Sequence, residues 1–342
     1  MNQIGSELAP RGPARASSVP VGRVRVFGWT FQGHSESPGA GFRKGAVGAP
    51  AIPHSGGLRT IIVYLNGDYL PVGEARVSVN DRGFLFADAV YEAIPAYMGR
   101  CFLPERHLAR LAWGLRTLRI EADVAPLADV GDELIARNDL VAAEFSVFYM
   151  QVTRGAAPRT HAFPTAAVPP TVYAFAKELV RTTPERWERG FGAITLADQR
   201  WARADIKTTG LLPNVLAQQA AVEAEVEDAI FIREGMVQEG THNNVFAVLG
   251  GEVATAPATN HILHGVTRAF TLALCAGLGI PARERAFTVD ELRDADEIFF
   301  TGTTTEVRPT VELDGRPVGS GRPGEITRAL SDAYRRAVSP EE

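Results

Sequence analysis

The segment TIIVYLNGDYLPV, residues 60–72, places Asn66-Gly67 between two apolar runs rich in strand-forming residues, the pattern of a tight β-hairpin. A second strand pair follows in AVYEAIPAYMGRCFLP, residues 89–104, turning at Met98–Arg100. The runs EFSVFYMQVTRG (144–155) and TVYAFAKEL (171–179) read as further strands. Clustered hairpins constrain this chain more than any other feature. They oppose a regular βαβ alternation and predict an α+β architecture. Helices fall between the strand groups. PERHLARLAWGLRTLRI (104–120) starts at Pro104 and puts Leu108, Leu111, Leu115 and Leu118 on one face, and residues 127–138 predict a second helix.

A change of character in RTTPERWERG (181–190) reads as an interdomain linker. Beyond it come strand AITLAD, helix LLPNVLAQQAAVEAEV (211–226) and strand DAIFIREG. A hairpin turns at Gly250-Gly251, and a helix opens in HGVTRAFTLALCAGLG and stops at the Gly279-Pro281 turn. Strand EIFFTG and a helix over 323–337 complete the pattern. The expected organisation is a small α+β domain over 61–182 and a larger one over 183–342. Residues 1–60 stand apart, rich in Gly, Pro, Ser and Arg, with Glu7 and Glu36 as their only acids. Such an acid-poor start mimics an organellar transit peptide, but it lacks a sustained amphipathic helix. An extension without a fold of its own is the reading.

The 342 residues, 45% hydrophobic, suffice for a sizeable core, and a formal net charge of -5 gives no electrostatic reason to expect nucleic acid or an anionic membrane. Two cysteines, Cys101 and Cys275, oppose a disulfide framework, and no Cys/His spacing resembles a metal site. No apolar run approaches the roughly 20 residues of a membrane helix. A soluble, cytoplasmic protein is expected.

Four segments carry chemistry. In ARADIKTTGLLPNV (202–215), Lys207 follows Ile206 and precedes the Leu211/Leu212 pair, residues that look core-bound, with no acid placed to pair with it. Taken alone a lysine is a hydrated surface ammonium, but one kept dry and confined serves as nucleophile or base. Glu239, in MVQEGTHNNVFAV, sits at a strand end before a polar turn, either a solvated loop carboxylate or one aimed at a cation. Gly265, Val266 and Thr267 lead into a helix, where free N–H groups hold anions or Thr267 simply caps. FFTGTTTEV gathers Thr301, Thr303, Thr304 and Thr305 in a turn that suits a phosphate or a plain β-turn. A lysine, a carboxylate and two phosphate-type turns are together what pyridoxal 5′-phosphate requires.

On these residues the chain resembles the fold-type IV pyridoxal-phosphate enzymes, and most closely the D-amino acid aminotransferases. The resemblance runs from about Tyr64 to Arg336. It is carried by DRGFLFADAVYEAIPAY, HLARL, QVTRGAAPRTHAFP, DIKTTGLL, VQEGTHNNVF, HGVTR and FFTGTTTEVRPTVELDG, in that order. It implies a two-domain α+β fold with pyridoxal 5′-phosphate in the interdomain cleft. Lys207 would form the Schiff base and shuttle protons, and Glu239 would pair with the pyridine nitrogen. Arg110, Val266, Thr267 and Thr303 would hold the phosphate. Tyr91 would line the substrate side, and Arg159 and His161 would bind the substrate carboxylate from the other subunit of a homodimer. The implied reaction moves the amino group of a D-amino acid to a 2-oxo acid.

Branched-chain aminotransferases usually carry an arginine shortly after the aromatic-Glu element, where this chain has Ile94 and Pro95, and aminodeoxychorismate lyases typically lack the Arg-x-His loop. These two, with (R)-amine transaminases, are the alternatives within the family. The chain also departs from the pattern. His242 and Asn243 replace small hydroxyl residues after Glu239, and Gly302 stands where a serine is common.

Overall fold

The computed structural model describes residues 60–339, so the reading of residues 1–60 as an extension lies, but for Thr60, outside the described residues. Strand β1 (Ile62–Leu65) turns through Asn66 and Gly67, both at positive φ (52° and 108°), into β2 (Asp68–Pro71), with Leu65 opposite Asp68. Positive φ at both central positions is the conformation that favours Asn-Gly in a two-residue hairpin. A short helix, α1 (Arg82–Phe86), is capped by the Asp81 carboxylate and leads into β3 (Ala89–Tyr97) and β4 (Arg100–Cys101). Helices α2 (Pro104–Leu118) and α3 (Leu127–Arg137) precede β5 (Ser146–Thr153) and β6 (Thr171–Glu178). The six strands form one antiparallel sheet in the order β2-β1-β6-β5-β3-β4. Leu111, Leu115, Leu134 and Ile135 bury the apolar faces of the two long helices on this sheet, beside Ile94, Phe148 and Met150.

The segment read as a linker is helical in part. Thr183 caps α4 (Pro184–Arg189), and Trp187 within it is buried, its indole N–H donating to the Val307 carbonyl at 3.0 Å. A tryptophan and a Thr-Pro helix start supply the packing and the cap that a loose connection lacks.

Strand β7 (Phe191–Ala197) opens the second sheet and connects through α5 (Leu212–Glu223) to β8 (Asp228–Arg233), which lies parallel to it. Then follow β9 (Met236–Gly240), β10 (Asn244–Leu249), β11 (Glu252–Thr255), α6 (Val266–Gly277) and β12 (Ala282–Glu284). The chain ends with α7 (Val289–Arg293), β13 (Glu297–Gly302), β14 (Glu306–Leu313), β15 (Arg316–Pro317) and α8 (Glu325–Val338). The order is β12-β11-β10-β13-β14-β7-β8-β9, with β15 on β14. Strand β14 was not legible because Pro309 interrupts its run, and proline within a run argues against a sheet-interior strand. Here Pro309 sits opposite Phe299 of β13, and the pairing of β14 with β7 shifts register between Thr310 and Glu312.

Glu297 at the start of β13 accepts from the backbone N–H groups of Ile326 (3.0 Å) and Thr327 (2.7 Å), capping α8 from outside the helix. The Leu211/Leu212 expectation needs correction. Ile206 does enter the core of the first sheet, but Leu212 is 69% exposed, and with Val215 and Leu216 it forms an open apolar face on α5. The helical period turns Ala217 and Ala221 inward and these larger side chains outward. No helix among the described residues is long and apolar enough to cross a membrane.

Candidate active site

Residues 198–211 leave the second sheet and reach across to the first. Tyr91 of β3 donates its N–H to the Lys207 carbonyl (2.9 Å), Thr208 bridges to Val90, and the Thr208 hydroxyl donates to the Ala87 carbonyl (3.1 Å). These ties hold Lys207 in an extended connection with its ammonium over the Tyr91 ring, 4.3 Å from the centroid. Among the described residues the Lys207 amine has no hydrogen bond and no ion pair. Asp205, two residues before, is buried and engaged with Arg203 (3.0 Å). Tyr91 stacks on Tyr149 and Tyr149 on Phe175, an aromatic row across three neighbouring strands that stiffens the wall behind the amine.

The amine opens into a cavity of about 550 Å³, lined from both sheets. Lys207, Glu239, Arg110, Val266, Thr267, Thr303, Tyr91 and His161 all line it. Arg159 does not. Its guanidinium lies over the Phe86 ring at 5.1 Å, on a loop that Arg82 ties down by donating to the Thr160 carbonyl at 2.7 Å.

Glu239, on β9, is buried and heavily bonded. Its carboxylate accepts from Arg200, from the Asn244 amide (3.0 Å) and from the Leu263 N–H (3.0 Å). Arg200 also serves Asp198 (3.0 Å), which is paired in turn with Arg233 (2.9 Å). Burial raises the Glu239 carboxyl to about 7 even though Arg200 pulls the other way. Gly265 makes the Asn244 support possible, since a Cβ there would come within 2.0 Å of Asn244 Oδ1.

Arg110 meets a second buried carboxylate. Its Nε and Nη2 donate to Glu92 of β3 at 2.7 and 2.9 Å, a two-point fork, and its Nη1 donates to the His264 carbonyl at 2.9 Å. His107 Nδ1 lies 2.9 Å from the same carboxylate. Burial would raise Glu92, but Arg110 and His107 outweigh it and hold the carboxyl down at about 2. Helix α6 then starts at Gly265 with no side-chain cap, so the first-turn amides around Val266 and Thr267 face the cavity unsatisfied by the protein. The Thr303 hydroxyl donates to the Ala93 carbonyl at 3.0 Å and ties its turn to β3.

Glu92, His107, Arg200 and Asp198 were missed in the sequence. An acid inside the apolar run AVYEAIPAY was the available signal for Glu92, because a buried carboxylate demands a cation. Arg200 lies 39 residues from Glu239 and carried no such mark.

The departures from the family pattern fit one another. Asn243 donates to Asp228 and accepts from the Thr305 hydroxyl. A Cβ at position 302 would lie 2.6 Å from Asn243 Oδ1, so Gly302 supplies the room that Asn243 fills.

A free amine, a buried carboxylate with unspent charge, and an uncapped helix start beside an arginine match the aldehyde, ring nitrogen and phosphate of pyridoxal 5′-phosphate. The class so defined is that of fold-type IV pyridoxal-phosphate enzymes. Residues 89–313 match the family described as amino-transferase class IV. The D-alanine aminotransferase of Staphylococcus aureus (strain MSSA476) is 38% identical over 278 residues, 81% of this chain and 97% of the relative. That of Bacillus licheniformis is 39% identical over 279 residues, 82% and 98% of the two chains. Among solved structures, the branched-chain aminotransferase of Thermoproteus uzoniensis superposes with a TM-score of 0.73 at 26% identity, covering 82% of this chain and 95% of the other. The T.th. branched-chain amino acid aminotransferase solved with pyridoxamine 5′-phosphate has the same score at 27% identity, with the same coverage. The chain belongs to the class IV aminotransferases, and it is a pyridoxal-phosphate-dependent transaminase.

Two expectations follow. Glu92→Gln should raise the cofactor Kd about tenfold or more, about 1.4 kcal/mol, in equilibrium dialysis; unchanged affinity in a folded variant would mean Arg110 orients itself. For Glu239, the folded protein keeps the proton up to about pH 7 while an unfolded chain releases it near 4.5. The group's contribution therefore falls as pH rises through that window and is constant above it, a loss on the order of 3 kcal/mol. Melting curves of cofactor-free wild type and Glu239→Gln should diverge between these pH values, and parallel curves would contradict the raised pKa.

Proposed function

We propose that this chain transfers the amino group of D-amino acids, of the D-alanine and D-glutamate type, to a 2-oxo acid such as 2-oxoglutarate or pyruvate. The observation that carries the reading is the unpartnered Lys207 amine, held over Tyr91 in one cavity with buried Glu239 and the open start of α6. Bound pyridoxal phosphate supplies an aldehyde that takes the amino group and a ring that draws electrons from the substrate Cα. Lys207 would hold that aldehyde until substrate displaces the amine. Once free, the amine would be the base that takes the proton from the substrate Cα and the acid that gives one back during the transfer. Glu239 would sit against the ring nitrogen and favour its protonated form, the cation that a buried carboxylate calls for. Arg110 and the amides of Val266, Thr267 and the Thr303 turn receive the phosphate.

The choice of D-amino acids is supported by the relatives' activity and by the Arg159-x-His161 loop at the edge of the cavity. Arg159 does not line its own chain's cavity, and the exposed apolar face of α5 lies beside Leu211, Pro213 and Asn214, which do. An uncovered apolar face of this kind suits a protein partner. Both support a homodimer in which Arg159, with His161, serves the substrate carboxylate of the partner subunit. Tyr91 would close the substrate side. The unpaired cysteines Cys101 and Cys275 support a reducing, cytoplasmic setting.

Purified protein should be yellow and lose its cofactor band on adding D-alanine but not L-alanine, and borohydride should fix the cofactor on Lys207. Label on another lysine, or equal response to both enantiomers, would overturn the assignment, and Lys207→Ala should abolish turnover. Subunit exchange tests the crossing loop. Lys207→Ala and Arg159→Ala proteins, each weak alone, should recover about a quarter of wild-type activity after mixing, since half the dimers are mixed and each holds one complete site. No recovery despite exchange would place Arg159 in its own chain's site.

A further inference from the structure

His242 is a cavity residue that the proposed chemistry leaves unused. It lines the same space as Lys207 and Tyr91 and stands where small hydroxyl residues are usual. Its ring is set by its neighbour. His242 Nδ1 lies 2.9 Å from Thr241 Oγ1, and that hydroxyl lies 2.7 Å from both the Gln218 Oε1 and the Asp228 Oδ1. The Gln218 amide orientation is fixed by its Nε2 donating to the Glu227 carbonyl at 3.0 Å. The one hydrogen on Thr241 is thus claimed by an oxygen, and toward His242 the hydroxyl can only accept. The imidazole proton is therefore on Nδ1, which leaves Nε2 a bare acceptor, with no hydrogen-bond partner among the described residues.

The frame around it is rigid. Asp228 is fully buried and accepts from Thr241, Asn243 and Arg308, the last at 2.8 Å. The Asn214 amide holds the Thr241 carbonyl at 2.7 Å. Burial keeps His242 below the usual histidine range, Asp228 opposes this, and the charges of Arg308 and Lys207 reinforce it. The ring is thus biased toward its uncharged form, which accepts through one atom.

We propose that His242 reads the substrate side chain: its Nε2 accepts a hydrogen bond from a short side chain bearing a donor, so a hydroxyl or amide D-amino acid is preferred over its aliphatic isostere. The proposal rests on the D-amino acid transamination reading. An imidazole also fills more of the cavity than a small hydroxyl residue, which favours short side chains such as that of D-serine. An acceptor that gives up water to face an alkyl group, with no donor in return, costs free energy, and this creates the discrimination.

D-Serine and D-2-aminobutyrate are matched in size and differ by hydroxyl against methyl. Half-reaction rates of the holoenzyme, followed by the loss of its cofactor band, should favour D-serine by about tenfold. In His242→Phe, or His242→Ala should the first not fold, the ratio should fall to near one. Turnover of both substrates with a ratio that these variants leave unchanged overturns this proposal alone. No turnover of either by a wild type that does turn over D-alanine also overturns this proposal alone, whereas no response to D-alanine removes the transamination reading and this proposal with it. Nitrogen NMR of the ring-labelled holoenzyme, with His242 assigned by its loss in His242→Phe, should show the proton on Nδ1 and a bare Nε2. The opposite tautomer, or a doubly protonated ring, would also overturn it.

Discussion

The hydrogen bond from the Tyr91 N–H to the Lys207 carbonyl ties the two halves of the site together. One partner belongs to the first sheet and the other to the excursion between β7 and α5 of the second. With the neighbouring Val90–Thr208 bridge, it extends strand geometry across the gap between sheets for two residues only. Lys207 therefore gains the positional accuracy of a strand without the flanking ladder that would crowd its amine. Tyr91 is doubly committed, its backbone holding the lysine and its ring lying beneath the ammonium. The row through Tyr149 and Phe175 passes that constraint into the body of the first sheet.

Two buried carboxylates show how differently one fold treats the same group. Glu92 receives both arms of the Arg110 fork and a histidine besides, and its negative charge is fully answered. Glu239 also faces an arginine, but Arg200 divides its guanidinium between Glu239 and Asp198. The remaining charge on Glu239 is an unfilled demand for a cation. Glu92 is a girder for Arg110, and Glu239 is a socket.

Much of this was legible from local pattern. The hairpins, both long helices of the first half and the start of α6 follow from turn residues and period, and Lys207 stood out because nothing nearby could pair with it. What escaped was whatever depended on distance along the chain. Arg200 and Asp228 are ordinary charged residues until folding brings Glu239 and the Thr241–Asn243 turn against them. Strand β14 was hidden by Pro309, and α4 by a composition that resembles a linker. The exposure of Leu212 failed the other way, since hydrophobicity alone does not say which side of a helix meets the core.

The close fit of Asn243 against Gly302 also imposes an order on change. A serine at position 302 would strike an amide that Asp228 and Thr305 both hold, so it cannot arrive while Asn243 is in place without breaking those bonds. Asparagine at 243, equally, needed the glycine first or together with it. The two positions form an epistatic pair. A lineage, or an engineer, moving this turn back toward its relatives must pass through the smaller residue at 243 before restoring the hydroxyl at 302, and the reverse order runs through a strained intermediate.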